Sequence, residues 1–293
     1  MDARKFVPHG RPVLETDTPL PKVAGGATRE CMAEDSQANA AEAHAGTIIP
    51  SATVIVFRHG PADEPELLML QRSQEMRFAA GATVFPGGKV DVADCVLAAA
   101  LRPTADPAVT SAQIAAVRET LEEAGLLIGV VETVAAETVR EARAMLLREG
   151  ALAPVLDAFG WTLEPERLTL YAHWQAPMER PFDTHFFIAD IGTGDVEIAV
   201  DSTENTRLLW LSARRALAMA DAGEIDLIFP TRRNLERLAQ HSSFSGALDD
   251  AARYPVRRIR PQYVVYDGRV RTEIPDGLGY PVLFQDADSR SRR

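Results

Sequence analysis

Cysteine is nearly absent from this chain: 293 residues contain only two, Cys31 and Cys95. They lie far apart and in no paired motif, which speaks against a zinc site or a disulfide framework. Two free thiols are expected. Long apolar runs are missing as well. No stretch reaches the roughly 18 residues that a membrane-spanning helix needs, and the N-terminus carries no signal-like segment, so a cytoplasmic location is expected. Positive charge is in deficit, with 31 Lys and Arg against 42 Asp and Glu and a formal net charge of −11. Such a surface repels nucleic acid and anionic lipid, so neither is expected as a partner. A small phosphorylated substrate stays open, because a bound cation can invert the potential locally. No internal repeat is present.

What is there supports a folded core, since 46% of residues are hydrophobic. Residues 1 to 46 are rich in Pro, Gly, Ala and charge without periodicity, and disorder is expected there. Residues 47 to 293 read as one domain. Ala52–Phe57, Glu66–Gln71 and Ala82–Phe85 read as strands, followed by a Gly-Gly loop. Leu168–Trp174, His185–Ile191 and Thr206–Leu211 read as further strands. Ser111–Ala124, Thr133–Glu149, Ala213–Ala222 and a stretch from Thr231 to about Gln240 read as helices, with Ser111, Ser212 and Thr231 as caps. Ser289–Arg293 reads as a frayed tail.

The residues that carry chemistry are concentrated in two short segments. Arg118-Glu119-Thr120-Leu121-Glu122-Glu123-Ala124-Gly125-Leu126 places three carboxylates at offsets of zero, three and four, which fall on one helical face. Ile114, Val117, Leu121 and Ala124 cluster on the opposite face. Gly125 stands where a left-handed cap ends a helix. Three crowded acids repel one another, and a bound divalent cation would resolve that repulsion. A plain solvated acidic face is the alternative for the acids alone. Upstream lies Phe85-Pro86-Gly87-Gly88-Lys89, whose glycines let backbone approach a phosphate or metal closely, or else make a simple turn.

Together these segments resemble the Nudix box, Gly-x5-Glu-x7-Arg-Glu-U-x-Glu-Glu-x-Gly-U, where U is bulky and apolar. Arg118 to Leu126 cover its second half, with Thr120 at a U position. Gly88 matches the opening glycine, but it stands 30 residues before Arg118 where the box has 14, so 16 residues are extra. If the insertion follows Asp94, that acid keeps the slot of the first glutamate; if it precedes the slot, Thr110 occupies it. Arg102–Pro107 within it reads as a surface loop. An interrupted box resembles the branch that includes the peroxisomal coenzyme A diphosphatases. The likeness extends through Arg180–Thr184 and Pro230–Leu235.

The resemblance implies an α/β fold, a Nudix-type α/β/α sandwich around a mixed sheet. A helical insertion near 95–110 and a C-terminal extension from about residue 213 would be added to it. It implies Mg²⁺ or Mn²⁺ held by Glu119, Glu122 and Glu123, with Arg118 orienting them. Glu122, Glu123 and Glu204 are the expected catalytic residues; Asp201 competes with Glu204, and either is otherwise a solvated acid. Gly87, Gly88, Arg72, Arg232 and Arg233 are the expected substrate contacts, the last two toward an extra phosphate such as that of coenzyme A. Arg72 could equally meet a box carboxylate or solvent. His173 and His185 read as hydrogen-bonded rather than catalytic. Trp174 and Phe182 either stack on a base or pack. The implied partner is a small-molecule diphosphate, and a homodimer is compatible. The implied reaction is hydrolysis of a diphosphate linkage, in coenzyme A or its acyl esters first, with ADP-ribose, dinucleotides and nucleotide sugars as alternatives. A catalytically silent binding module is the alternative of another class.

Overall fold

The computed structural model describes residues 48–60, 64–75, 79–177, 181–192 and 205–286. The expected disordered segment, Cys31, Arg180, Asp201, Glu204 and the C-terminal tail lie outside them. The β-branched run Ala52–Phe57 forms the middle of β1 (Ile49–His59). Its side chains alternate between two cores: Ala52, Val54 and Val56 enter one, Ile55 and Phe57 the other. A strand buried on both faces requires a layer on each side of its sheet.

β1 pairs antiparallel with β2 (Pro65–Arg72) and β4 (Gly87–Lys89), and parallel with β6 (Phe182–Asp190). Beyond β2 lie β3 (Thr83–Val84) and β7 (Asn205–Leu211), both antiparallel to it. Beyond β6 lie β5 (Thr169–Gln175), antiparallel, and then β8 (Arg258–Ile259), parallel to β5. The sheet is therefore mixed, as expected.

One face is covered by α1 (Val92–Leu101), α2 (Pro107–Ala124) and α4 (Leu152–Phe159). Helix α3 (Ala136–Glu149) packs on the outside of α2, with Ala142 and Leu146 against Leu121. The other face is covered by α5 (Ala213–Asp221), α6 (Phe229–Leu238) and α7 (Phe244–Arg253). The segment after residue 213 thus supplies a whole layer of the sandwich. A separate three-stranded sheet follows: β9 (Gln262–Tyr266), β10 (Arg269–Glu273) and β11 (Phe284–Asp286), in the order β11-β10-β9.

Several expectations are corrected. Helix α2 starts four residues before Ser111. Asp106 is its N-cap, with its side chain accepting from the Ala108 and Val109 N–H groups at 2.9 and 3.2 Å. Pro107, which lacks an N–H, fits the first turn. The Ser111 hydroxyl donates to Pro107 O at 2.7 Å inside that turn. Helix α6 likewise starts at Phe229 with Pro230 in its first turn, so Thr231 is internal. Helices α4 and α7 were not anticipated, whereas α1 runs into the insertion expected to be helical near 95–110. Cys95 is disulfide-bonded rather than free. Among the described residues no helix is long and apolar enough to cross a membrane.

Candidate active site

Helix α2 crosses the sheet and brings its C-terminal turns over β4. Gly125 ends it at φ 64°, its N–H donating to Leu121 O. The Arg143 guanidinium, on α3, donates to the last carbonyls: Nε and Nη2 reach Glu122 O at 2.9 and 2.6 Å. A cation at this end also opposes the negative pole of the helix. Thr120, in its apolar slot, is fully buried and returns its hydroxyl proton to Ala116 O at 2.6 Å. The departure from a bulky apolar residue therefore leaves no unsatisfied group.

Arg118 is 3% exposed and lies among the carboxylates of Asp91, Asp94, Glu119 and Glu122. Its Nε and Nη2 donate to Asp94 at 3.1 and 3.0 Å, and Nη1 to Glu119 Oε1 at 2.9 Å. Nη1 also reaches Glu122 Oε2 at 3.4 Å, and Nη2 donates to Lys89 O at 2.8 Å. Asp94 is 1% exposed, and its carboxylate also closes a capping box at the start of α1. Of the two residues that the motif spacing offers for its first acid, Asp94 pairs with Arg118, and Thr110 is buried in the first turns of α2.

Glu123 is 6% exposed and faces the sheet. Gly87 N–H donates to its Oε2 at 2.9 Å and Asn205 Nδ2 to its Oε1 at 3.2 Å. Burial pushes its pKa up to about 8, against the lowering effects of these bonds and of the nearby Arg72 charge. Burial pushes Glu119 up to about 7, with Arg118 opposing. Burial also raises Glu122 and Asp94. For Arg118, burial favours the neutral form, but Asp94, Glu119 and Glu122 outweigh it and keep the guanidinium charged. Gly88 lies directly beneath Glu119: a β-carbon there would sit 2.2 Å from Oε1.

The donor set is carboxylate oxygen throughout, and the Glu119 and Glu122 side chains keep 16% and 23% of their surface open. That suits a hard divalent ion that retains water. Among the described residues, however, no three acidic, His or Cys groups already enclose an ion. Arg118 is the cation paired with Glu119 and Glu122.

The structure brings together Gly87, Gly88, Asp94, Arg118, Glu119, Glu122 and Glu123, with Arg72 near Glu123. The Arg72 Nε is buried without a hydrogen-bond partner among the described residues. It does not bring Arg232 and Arg233 there, which corrects their expected role. They lie on α6, across the sheet from α2. Arg232 pairs with Asp221 and Glu236. Buried Arg233 donates to Phe284 O at 2.9 Å and Glu236 at 2.7 Å. His173 bonds Asp183 at 2.8 Å and stacks on His185 with ring centroids 4.0 Å apart. Trp174 is buried, its indole N–H donating to Tyr280. Asn205 and Arg143 were missed as site residues: only the fold carries them to the end of α2.

No family model matches the chain. The acyl-coenzyme A diphosphatase NUDT19 of Gallus gallus is 26% identical over 242 residues, covering 64% of this chain and 64% of that protein. The chain thus spans less than two thirds of that relative's length. A Nudix hydrolase from Alicyclobacillus acidocaldarius, solved by crystallography, is 28% identical with a TM-score of 0.59, covering 69% of this chain and 96% of that one. The sandwich and these likenesses bear out the resemblance read from the sequence: the chain is similar in sequence and in fold to members of the Nudix hydrolase superfamily.

Proposed function

We propose that the chain hydrolyses a diphosphate linkage in a nucleoside diphosphate derivative, with Mg²⁺ or Mn²⁺, and that coenzyme A or its acyl esters are the favoured substrates. One observation carries the reading: three glutamates of one helix turn are gathered beside the Gly87-Gly88 backbone, Glu119 and Glu122 on the buried Arg118 and Glu123 on Gly87 N–H, and a β-carbon at Gly88 would crowd Glu119. Such a concentration of desolvated acids costs stability and is explained by a cation that the site is built to receive. Glu119, Glu122 and Glu123 would hold it. When bound, the ion neutralises phosphate oxygens and acidifies a water molecule.

The chain's own residues do the rest. Arg118, anchored by Asp94 and Lys89 O, fixes the rotamers of Glu119 and Glu122. Gly87 N–H and Asn205 hold both oxygens of Glu123. Arg72, with its unpartnered Nε, is the proposed phosphate contact. Glu204, adjacent in sequence to Asn205, remains the proposed general base on sequence grounds. The substrate preference is supported by the likeness to the chicken acyl-coenzyme A diphosphatase, and ADP-ribose, dinucleotides and nucleotide sugars share the same linkage.

A second reading, a silent binding module, is favoured by the carboxylates not closing around an ion as they stand. One experiment separates the two. The full chain is assayed with Mg²⁺ or Mn²⁺ against coenzyme A, acyl-coenzyme A, ADP-ribose, a dinucleotide and a nucleotide sugar, with products identified by mass spectrometry in ¹⁸O-water. Cleavage at the diphosphate that vanishes with chelator is expected. Glu122→Gln and Glu123→Gln should stay folded and lose at least about 100-fold in kcat. Binding of these compounds without turnover would establish the silent module instead.

A further inference from the structure

The small sheet β11-β10-β9 is unlike the large one, because among the described residues neither of its faces joins a hydrophobic core. On one face Tyr263 and Val265 of β9 are 66% and 70% exposed, next to exposed Val270 of β10. On the other, Arg271 lies between the rings of Tyr266 and Phe284, at 4.2 and 4.3 Å from their centroids, and both rings remain exposed. An isolated sheet of this size lacks the covered apolar face that normally stabilises one.

Its outer strand is also unguarded. β9 pairs with β10 alone among the described strands. Proteins ordinarily protect such an edge with lysine, a bulge or a strand proline. β9 reads Gln262-Tyr263-Val264-Val265-Tyr266, with no charge and no proline, in a chain of net charge −11. An acidic or basic partner strand would find nothing to complement there. A second copy of the same strand would meet neither repulsion nor an unpaired charge.

The hairpin fixes which backbone groups are free. Asp267 and Gly268 form its two-residue turn, with φ of 47° and 73°. That closing geometry makes Tyr266–Arg269 a hydrogen-bonded pair, so by alternation Val264 and Gln262 also turn their polar groups toward β10. Tyr263 and Val265 therefore present their N–H and C=O groups outward.

We propose that two copies of this chain pair through antiparallel β9 edges about a twofold axis at Val264, making one continuous sheet across the dimer. In that register Tyr263 of each copy exchanges both backbone bonds with Val265 of the other. An aromatic ring then lies beside a β-branched side chain on one face. Val264 meets its own copy in the close non-hydrogen-bonded position on the other face, flanked by Tyr266 against Gln262. Registers shifted by two residues bring Pro261, which has no N–H, or the turn residue Asp267 into the ladder. The patch is self-complementary, as an isologous interface must be.

The test is sedimentation analysis of the full chain from about 1 to 100 μM, spanning ordinary dimer affinities. A monomer–dimer equilibrium is expected, and Val264→Lys and Val264→Glu should each be monomeric with an unchanged circular dichroism spectrum. Mixed in equal amounts, the two variants should restore a dimer, since Lys then faces Glu across the axis. A wild-type chain that stays monomeric throughout overturns the proposal, leaving the edge to another protein's strand. So does a dimer that survives Val264→Lys, and so does a failure of the mixed variants to associate when each is folded.

Discussion

At the scale of single residues, the site depends on a missing side chain. Gly88 lies where any β-carbon would overlap Glu119, 2.2 Å from Oε1 and 2.4 Å from the carboxyl carbon. Gly88→Ala should either displace that carboxylate or strain β4 against β1. We expect a loss of about 1–3 kcal/mol in urea denaturation, typical of overpacking, together with a clear fall in the proposed turnover. A stable, fully active Gly88→Ala protein would mean that Glu119 is free to move without consequence. The glutamates were legible from the sequence because helical spacing alone puts them on one face. Their partners were less so. The pairing of Asp94 with Arg118, 24 residues away, showed only in the fold. Asn205 lies 82 residues beyond Glu123, in a strand whose pattern reports burial and not contact. Arg232 and Arg233 were misread because an arginine in an acidic chain suggests an anionic ligand. In the structure their neighbours Asp221 and Glu236 already supply the anions.

Among the elements, α3 has a purpose that its charge pattern does not announce. Alternating acids and arginines suggest a helix solvated all round, yet Arg143 reaches across to the C-terminal carbonyls of α2. Arg143→Ala should cost about 1–2 kcal/mol, combining lost charged hydrogen bonds with the lost helix-end interaction. Arg148→Ala on the same helix is the control: its guanidinium pairs only with exposed Glu149 among the described contacts, and a change within about 0.5 kcal/mol is expected. Equal effects in equilibrium unfolding would remove any special role for Arg143. The strands were readable because their apolar runs are bounded by Pro and Gly. Helix starts were less so, because Asp106-Pro107 and Phe229-Pro230 resemble turns until the following residues are seen to coil. The short helices α4 and α7 have too few turns for periodicity to separate them from loops.

For the molecule as a whole, acid stability should carry the mark of His185. Burial pushes its pKa down to about 4, and His173 acts in the same direction, as does Arg258, while Asp183 and Asp106 oppose. The folded chain therefore refuses a proton that the unfolded chain accepts near pH 6.5. Stability from the neutral ring is fully present above pH 6.5 and declines as pH falls toward 4. His185→Gln should flatten the fall in Tm over that window relative to the wild type; parallel curves would show that the ring does not contribute. The order of assembly follows from the central ladder. β1 and β6 run side by side, with Ser51 opposite Thr184, 133 residues apart. Contacts that distant form late, because the intervening chain must first be closed into a loop. Asn205, which steadies Glu123, comes later still. During synthesis the acidic turn at Glu119–Glu123 therefore emerges well before β7, the strand that brings Asn205 to Glu123. For that interval the future site is an open run of carboxylates, with the nascent chain's own Arg118 as its nearest counter-charge.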